Sequence, residues 1–116
     1  MKTYTDIEQS KKLAEILPLE SADMYYLKRE INNTFIETPI VKPIGCMPNI
    51  LPCWSLAALF KVIPEGIIKK YYCPNLQKEN GKYSVAYGDD ELLCIADNPV
   101  DACYEMILKL YELNLL

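Results

Sequence analysis

The stretch ADNPVDACYEMILKLYELNLL, residues 96–116, contains the clearest folding signal in this chain of 116 residues. Asn98 is a favoured N-cap residue, and Pro99 suits the first helical position because no amide proton needs a partner there. Asp101 places a negative charge where the helix dipole favours it. The apolar period behind this start predicts an amphipathic helix. Its expected buried face comprises Val100, Cys103, Met106, Ile107, Leu110 and Leu113, and its exposed face comprises Asp101, Glu105, Lys109 and Glu112.

Three candidate strands precede this helix: IIKKYYC (67–73), KYSVAYG (82–88) and ELLCIAD (91–97). Asn80-Gly81 supplies the positive-φ pair that a tight hairpin needs, and Gly88-Asp89-Asp90 supplies a second turn. The pattern predicts a three-stranded antiparallel meander with helices on one face.

Two more helices are expected upstream. Ser55 is the expected cap of SLAALFKVIP, and Trp54 directly before it is interpreted as a packed anchor. Thr5 begins a T-x-x-E capping box with Glu8, and Pro18 ends that first helix. Between these helices, prolines at 39, 43, 48 and 52 exclude a long helix and confine any strand near FIETPIV to a sheet edge.

The predicted fold is therefore α+β, with all of residues 1–116 in one domain. An α-βββ-α core is joined by an N-terminal helix and by a proline-rich extended segment within residues 19–53. Met1 is followed by a polar stretch without the apolar centre of a signal peptide, which predicts a cytoplasmic protein. The longest apolar run, residues 50–60, is too short to span a bilayer, so no membrane association is expected.

Composition excludes several kinds of chemistry. The chain has no histidine, so neither a Ser-His-Asp triad nor a Cys-His pair can form within it. Its five cysteines match no zinc or disulfide spacing and are interpreted as buried thiols. Its four glycines stand singly, so no phosphate-binding loop is indicated. The run GDDEL, residues 88–92, is interpreted as a solvated turn because it lacks the continuation of a calcium loop. No catalytic residue, cofactor or metal is predicted.

Charge is distributed unevenly along the chain. Residues 83–116 contain one basic residue and seven acidic ones, whereas residues 1–82 contain eleven basic and nine acidic ones. An acidic final third disfavours nucleic-acid binding. Lys69, Lys70, Tyr71 and Tyr72 interleave charge with aromatic rings, as a single-strand-binding surface requires. The favoured interpretation is an edge strand whose lysines block sheet-to-sheet aggregation.

Nine tyrosines occur in this small chain, and two adjacent pairs stand out. Neighbouring residues on a strand point to opposite faces, so one ring of each pair is expected to face away from the core. An exposed aromatic surface is typical of a protein interface. The candidate interaction surface comprises Tyr25, Tyr26, Lys69, Lys70, Tyr71 and Tyr72.

From Ser55 onward, the order helix, three strands, helix is similar to that of double-stranded-RNA-binding domains. Those domains place lysines at the start of the final helix, where this chain has Asn98, Pro99 and Asp101. The stretches PCWSLAAL, YSVAYGD and ADNPVDACYEMIL also resemble a loose class of small proteins encoded by phages and other mobile elements of gut bacteria. That resemblance covers the C-terminal half and implies no particular binding residues.

These observations favour a non-catalytic protein-binding or regulatory role, as an accessory of a mobile element, with a protein partner or a self-dimer. One alternative is a nucleic-acid-binding module of the α-βββ-α type. A second alternative is a small enzyme that uses carboxylates, tyrosine or cysteine instead of histidine.

Overall fold

The computed structural model describes residues 1–29, 32, 34–41, 50–66, 73–88 and 92–116. Within them, three α-helices comprise α1 (Ile7–Ala14), α2 (Leu56–Val62) and α3 (Pro99–Glu112), and a short 3-10 turn covers Leu19–Ser21. Six strands comprise β1 (Met24–Leu27), β2 (Ile40–Val41), β3 (Ile50–Cys53), β4 (Pro74–Glu79), β5 (Lys82–Tyr87) and β6 (Leu92–Ala96). The predicted α+β character is confirmed.

The strands form two antiparallel sheets of three strands each, with orders β2-β1-β3 and β4-β5-β6. The first sheet was not predicted. Its segments fall in the region expected to be an extended, partly irregular chain, and Pro52 lies in its edge strand β3, where a missing amide proton is tolerated. In the second sheet, β5 and β6 lie within predicted strands. The predicted strand 67–73 lies outside the described residues except for Cys73, and β4 follows directly after it.

Local sequence signals explain where α2, α3 and the β4–β5 hairpin begin. The Asn98 side chain accepts a hydrogen bond of 2.8 Å from the Asp101 amide, and the Ser55 hydroxyl accepts one of 3.2 Å from the Ala58 amide. Both predicted caps are confirmed. Asn80 and Gly81 have φ angles of 52° and 76°, as a two-residue turn with positive φ at both positions requires.

The predicted start of the first helix is wrong by one residue. Asp6, not Thr5, is the N-cap: its side chain accepts from the Gln9 amide at 2.8 Å, and the Gln9 side chain accepts from the Asp6 amide at 3.1 Å. The reciprocal capping box is therefore D-x-x-Q. Thr5 is instead buried, and its hydroxyl is bonded to residues distant in sequence.

A single large apolar cluster lies between the second sheet and the helices. Helix α3 packs on β5, β6 and α2, and the face of α3 predicted to be buried is buried except for Leu113, which is half exposed in the last turn. Trp54 is fully buried in this cluster, as predicted, and its indole nitrogen donates to Ser21 Oγ at 2.9 Å. The side chains buried in it include Leu13, Leu59, Val85, Tyr87, Val100, Cys103, Met106, Ile107 and Leu110.

Among the described residues, no helix is both long enough and apolar enough to cross a membrane.

Candidate functional site

The tyrosine pair Tyr25–Tyr26 lies on β1, and both rings are buried. Tyr26 is 1% exposed and packs with Leu51 and Cys53, while Tyr25, on the opposite face of the strand, is 5% exposed. The expectation that one ring of this pair is exposed is therefore wrong. Alternation does place neighbouring side chains on opposite faces of a strand. It does not reveal how many of those faces are covered, and on β1 both are.

The remaining members of the predicted interaction surface, Lys69, Lys70, Tyr71 and Tyr72, lie outside the described residues. The aspartates and glutamate of the run 89–91 lie outside them as well.

A hydrogen-bonded cluster joins the beginning of α1 to the end of β3; we call it the polar junction, and it consists of Thr5, Ser10, Tyr26 and Cys53. Thr5 Oγ1 lies 2.8 Å from Ser10 Oγ and accepts a hydrogen bond of 3.1 Å from the Trp54 amide. The Tyr26 hydroxyl donates to the Thr5 carbonyl oxygen at 2.7 Å, and Cys53 Sγ lies 3.4 Å from that same oxygen. Each buried polar side-chain atom of the described residues has a partner.

The polar junction holds its titratable groups in their neutral forms. Burial raises the pKa of the Cys53 thiol, against the opposing effect of hydrogen bonds from Thr5 and Tyr26. Burial also raises the pKa of the Tyr26 hydroxyl. Since the thiolate is the nucleophilic form of cysteine, a thiol with a raised pKa is poorly reactive near neutral pH. The chemistry of the junction therefore favours a structural role.

A cleft of about 520 Å³ adjoins the junction, between the N-terminal segment and β1. Its lining comprises Met1, Lys2, Thr3, Tyr4, Asp6, Ile7, Glu8, Tyr26 and Glu37. The Lys2 ammonium in this lining is held by Asp6 Oδ2 at 3.0 Å and by Asp101 Oδ1 at 2.9 Å. A cation with two carboxylate partners is already neutralised, so this cleft has no evident preference for an anionic ligand.

Asp101 connects Lys2 and helix α1 to helix α3. We call the group formed by Lys2, Gln9, Asn98 and Asp101 the Asp101 latch. Asp101 accepts hydrogen bonds from Lys2 Nζ at 2.9 Å, from Gln9 Nε2 at 2.7 Å and from Asn98 Nδ2 at 2.8 Å. Burial acts to raise the pKa of the Asp101 carboxyl, but these hydrogen bonds and the Lys2 charge outweigh it and the pKa is lowered. The carboxylate expected to face only water is thus partly buried beside a lysine.

The two outer strands of the second sheet differ in composition. The outer strand β4 reads PNLQKE and contains a proline, a lysine and a glutamate, whereas the outer strand β6 reads LLCIA and contains no charged residue. Gln77, Ser84 and Ile95 form one cross-strand row on a single face, with Gln77 and Ile95 at its two ends. Ile95 is 59% exposed. Within the part of the chain that the structure describes, β6 pairs with β5 alone, so its outer edge is uncharged and has no strand partner there.

An acidic groove of about 530 Å³ runs beside the β6 edge, between it and the first turns of α3. Its lining comprises Gln9, Lys82, Cys94, Ile95, Ala96, Asp97, Asp101 and Glu105. Asp97 forms an ion pair with Lys82, and Asp101 belongs to the latch. Glu105 is exposed and forms no ion pair with any residue that the structure describes. Two of its three carboxylates are paired with lysines, Asp97 with Lys82 and Asp101 with Lys2, so Glu105 leaves this groove with a negative potential.

The predicted interaction surface does not include the β6 edge, although the sequence of this strand carries a signal for it. Edge strands are normally protected by lysine, proline or inward-pointing charge, and such protection is predicted for the strand at residues 67–73. The stretch ELLCIAD, residues 91–97, lacks such protection along its length, because its charged residues stand at its two ends only. The predicted meander places this strand at an edge, as the third of three, and the sheet order agrees; the groove between this strand and α3 was not predicted.

Comparison of the chain with models of protein families, with curated proteins and with solved structures returned no match.

Proposed function

We propose that this chain is a non-catalytic protein-binding module that acts through the β6 edge. The observation that carries the proposal is the uncharged composition of this outer strand together with the exposure of Ile95 on it. Unpaired backbone groups on an outer strand are a template for another strand, and proteins usually protect them. Here β4 has such protection and β6 does not, which supports a use for β6 in binding.

The chemistry of the cysteines supports a non-catalytic role. Burial raises the pKa of the thiols of Cys53 and Cys94, and it raises that of Cys103 to about 12. None of these three groups has the lowered pKa that activates a cysteine nucleophile. Three sequence stretches resemble proteins of mobile elements. This resemblance supports a role as an accessory or regulatory product that acts on another protein.

Affinity capture from the native host with matched variants tests this function. Ile95→Lys places a charge on the exposed β6 edge, and Gln77→Lys places the same charge at the opposite end of the same cross-strand row. We expect the wild type and Gln77→Lys to retain a common protein partner and Ile95→Lys to lose it. Circular dichroism checks that all three chains are folded. Identical captures by all three, or a monomeric wild type that retains nothing, would contradict the proposal.

A further inference from the structure

We infer that the partner of the β6 edge is an extended peptide segment with alternating residues, cationic on one face and aliphatic on the other, which adds to the second sheet as a fourth strand. This inference rests on the proposed function and specifies the chemistry of the partner. Strand addition derives affinity from backbone hydrogen bonds and specificity from alternate side chains, so the two faces of the added strand can be considered separately.

One face of the added strand extends the row of Gln77, Ser84 and Ile95. A side chain there would lie beside Ile95, which is 59% exposed. An apolar side chain opposite Ile95 would remove part of its exposed surface from water, which is favourable by about 25 cal/mol per Å², and aliphatic β-branched residues suit a strand. This face of the partner is therefore aliphatic.

The other face of the added strand continues the rows that end at Cys94 and Ala96, and it borders the acidic groove. Side chains there would approach Glu105, whose carboxylate has no ion pair among the described residues, and the Asp97 end of β6. Lys109 lies one turn further along α3, acts electrostatically on Cys94 and is not part of the groove lining. The cationic residues of the partner therefore belong opposite the Ala96 end of the strand.

Charge also argues against a second copy of this chain as the occupant. In either orientation, two β6 edges would bring two acidic grooves together. In a parallel pair, Asp97 would stand beside Asp97. Like charges opposite each other destabilise strand pairing, and the final third of the chain has one basic residue against seven acidic ones.

The test uses the full chain and a synthetic peptide of about eight residues that alternates lysine and valine. Binding is followed by fluorescence anisotropy, and hydrogen exchange identifies the amides that become protected. We expect saturable binding, slower exchange in β6 but not in β4, and weaker binding as salt rises. A peptide that alternates glutamate and valine is expected not to bind.

Matched charge reversals on α3 locate the site. Glu105→Lys is expected to weaken binding about tenfold or more, whereas Glu112→Lys, an exposed residue outside the groove, is expected to change it less than about twofold. Both substitutions alter the net charge equally, so a general electrostatic attraction would give equal effects. Equal effects, binding of the glutamate peptide, or no binding of the lysine peptide would overturn the inference.

Sedimentation equilibrium distinguishes this failure from failure of the proposed function. A wild-type dimer that dissociates in Ile95→Lys but not in Gln77→Lys would replace the cationic peptide with a second copy, while binding through the β6 edge would stand. Captured partners that depend on Ile95, combined with no binding of the lysine peptide, would likewise overturn only the stated chemistry of the partner.

Discussion

The two sheets of this chain are stabilised by different kinds of contact. The second sheet lies on a large apolar cluster to which all three helices contribute, whereas the first sheet buries the small cluster Tyr26, Leu51 and Cys53 and is tied to α1 by the polar junction. Apolar burial is non-directional and tolerates small shifts. Hydrogen bonds between buried groups require specific atoms at specific angles, and an unpaired buried group is costly. The stability of the first sheet therefore depends on fewer contacts, and those contacts are hydrogen bonds that tolerate less displacement of their atoms.

The largest effect is expected in the apolar cluster. Ile107 is fully buried in α3, and Ile107→Ala removes packed methyl groups and leaves a cavity, so we expect a loss of about 2–5 kcal/mol in the free energy of unfolding. Urea unfolding followed by circular dichroism measures this loss. Leu113→Ala, a half-exposed position at the end of the same helix, is the control and is expected to cost less than about 1 kcal/mol. Similar losses for the two variants would mean that burial in the apolar cluster is not what stabilises this side of the molecule.

A smaller effect is expected at the polar junction. Thr5→Val keeps the shape of the side chain but leaves the buried Trp54 amide without its acceptor, so we expect a loss of about 1–3 kcal/mol. Thr5→Ser keeps the hydroxyl and loses one methyl group, with an expected loss of about 0.8 kcal/mol. Thermal unfolding of both variants checks the order. If the valine variant were the more stable of the two, burial and not hydrogen bonding would hold this region.

The Asp101 latch gives an effect that depends on pH. The pKa of Asp101 is lowered in the folded chain, so its contribution is fully present above the ordinary carboxyl pKa of 3.8 and is lost as the pH falls through the lowered folded value. We expect Asp101→Asn to cost at most about 1 kcal/mol at neutral pH, because the pair is partly exposed. The difference from wild type should then shrink in acid. A difference that stays constant down to acidic pH would assign the loss to geometry and not to charge.

The smallest effect on stability is expected at the β6 edge. Ile95→Lys alters an exposed side chain, so the free energy of unfolding should change by no more than about 0.5 kcal/mol. Gln77→Lys, at the other end of the row, should change the free energy of unfolding by a similarly small amount. A clear loss in Ile95→Lys alone would mean that this residue stabilises the sheet itself, and its effect on partner binding would then have a structural cause.

The same contrast explains which parts of the molecule could be predicted. The signals around Asn98, Ser55 and Asn80-Gly81 are local: caps, apolar period and turn residues lie within a few positions of each other, and the structure places α3, α2 and the hairpin there. The first sheet depends on partners far apart in sequence. Thr5 and Cys53 are separated by 48 positions, and no local pattern indicates that they meet.

The misplaced cap of α1 has the same origin. T-x-x-E and D-x-x-Q overlap in TDIEQ, residues 5–9, and local rules allow both. The choice is made by the distant Trp54 amide, which binds the Thr5 hydroxyl and leaves Asp6 to cap. The burial of Tyr25 and Tyr26 was missed for a related reason, since alternation gives the direction of a side chain but not what covers it. At the candidate site, the uncharged residues of β6 and its place at the end of the meander could be predicted from the sequence. The acidic groove could not, because Gln9, Lys82 and Glu105 come together only in the fold.

The latch has a consequence for how the chain matures on the ribosome. Lys2 and Asp101 are 99 positions apart, and translation at the usual speed separates their synthesis by about 5–20 seconds. During that interval, Lys2 and Gln9 have no Asp101 to contact. Closure of Lys2 and Gln9 onto α3 must therefore wait until α3 has been made.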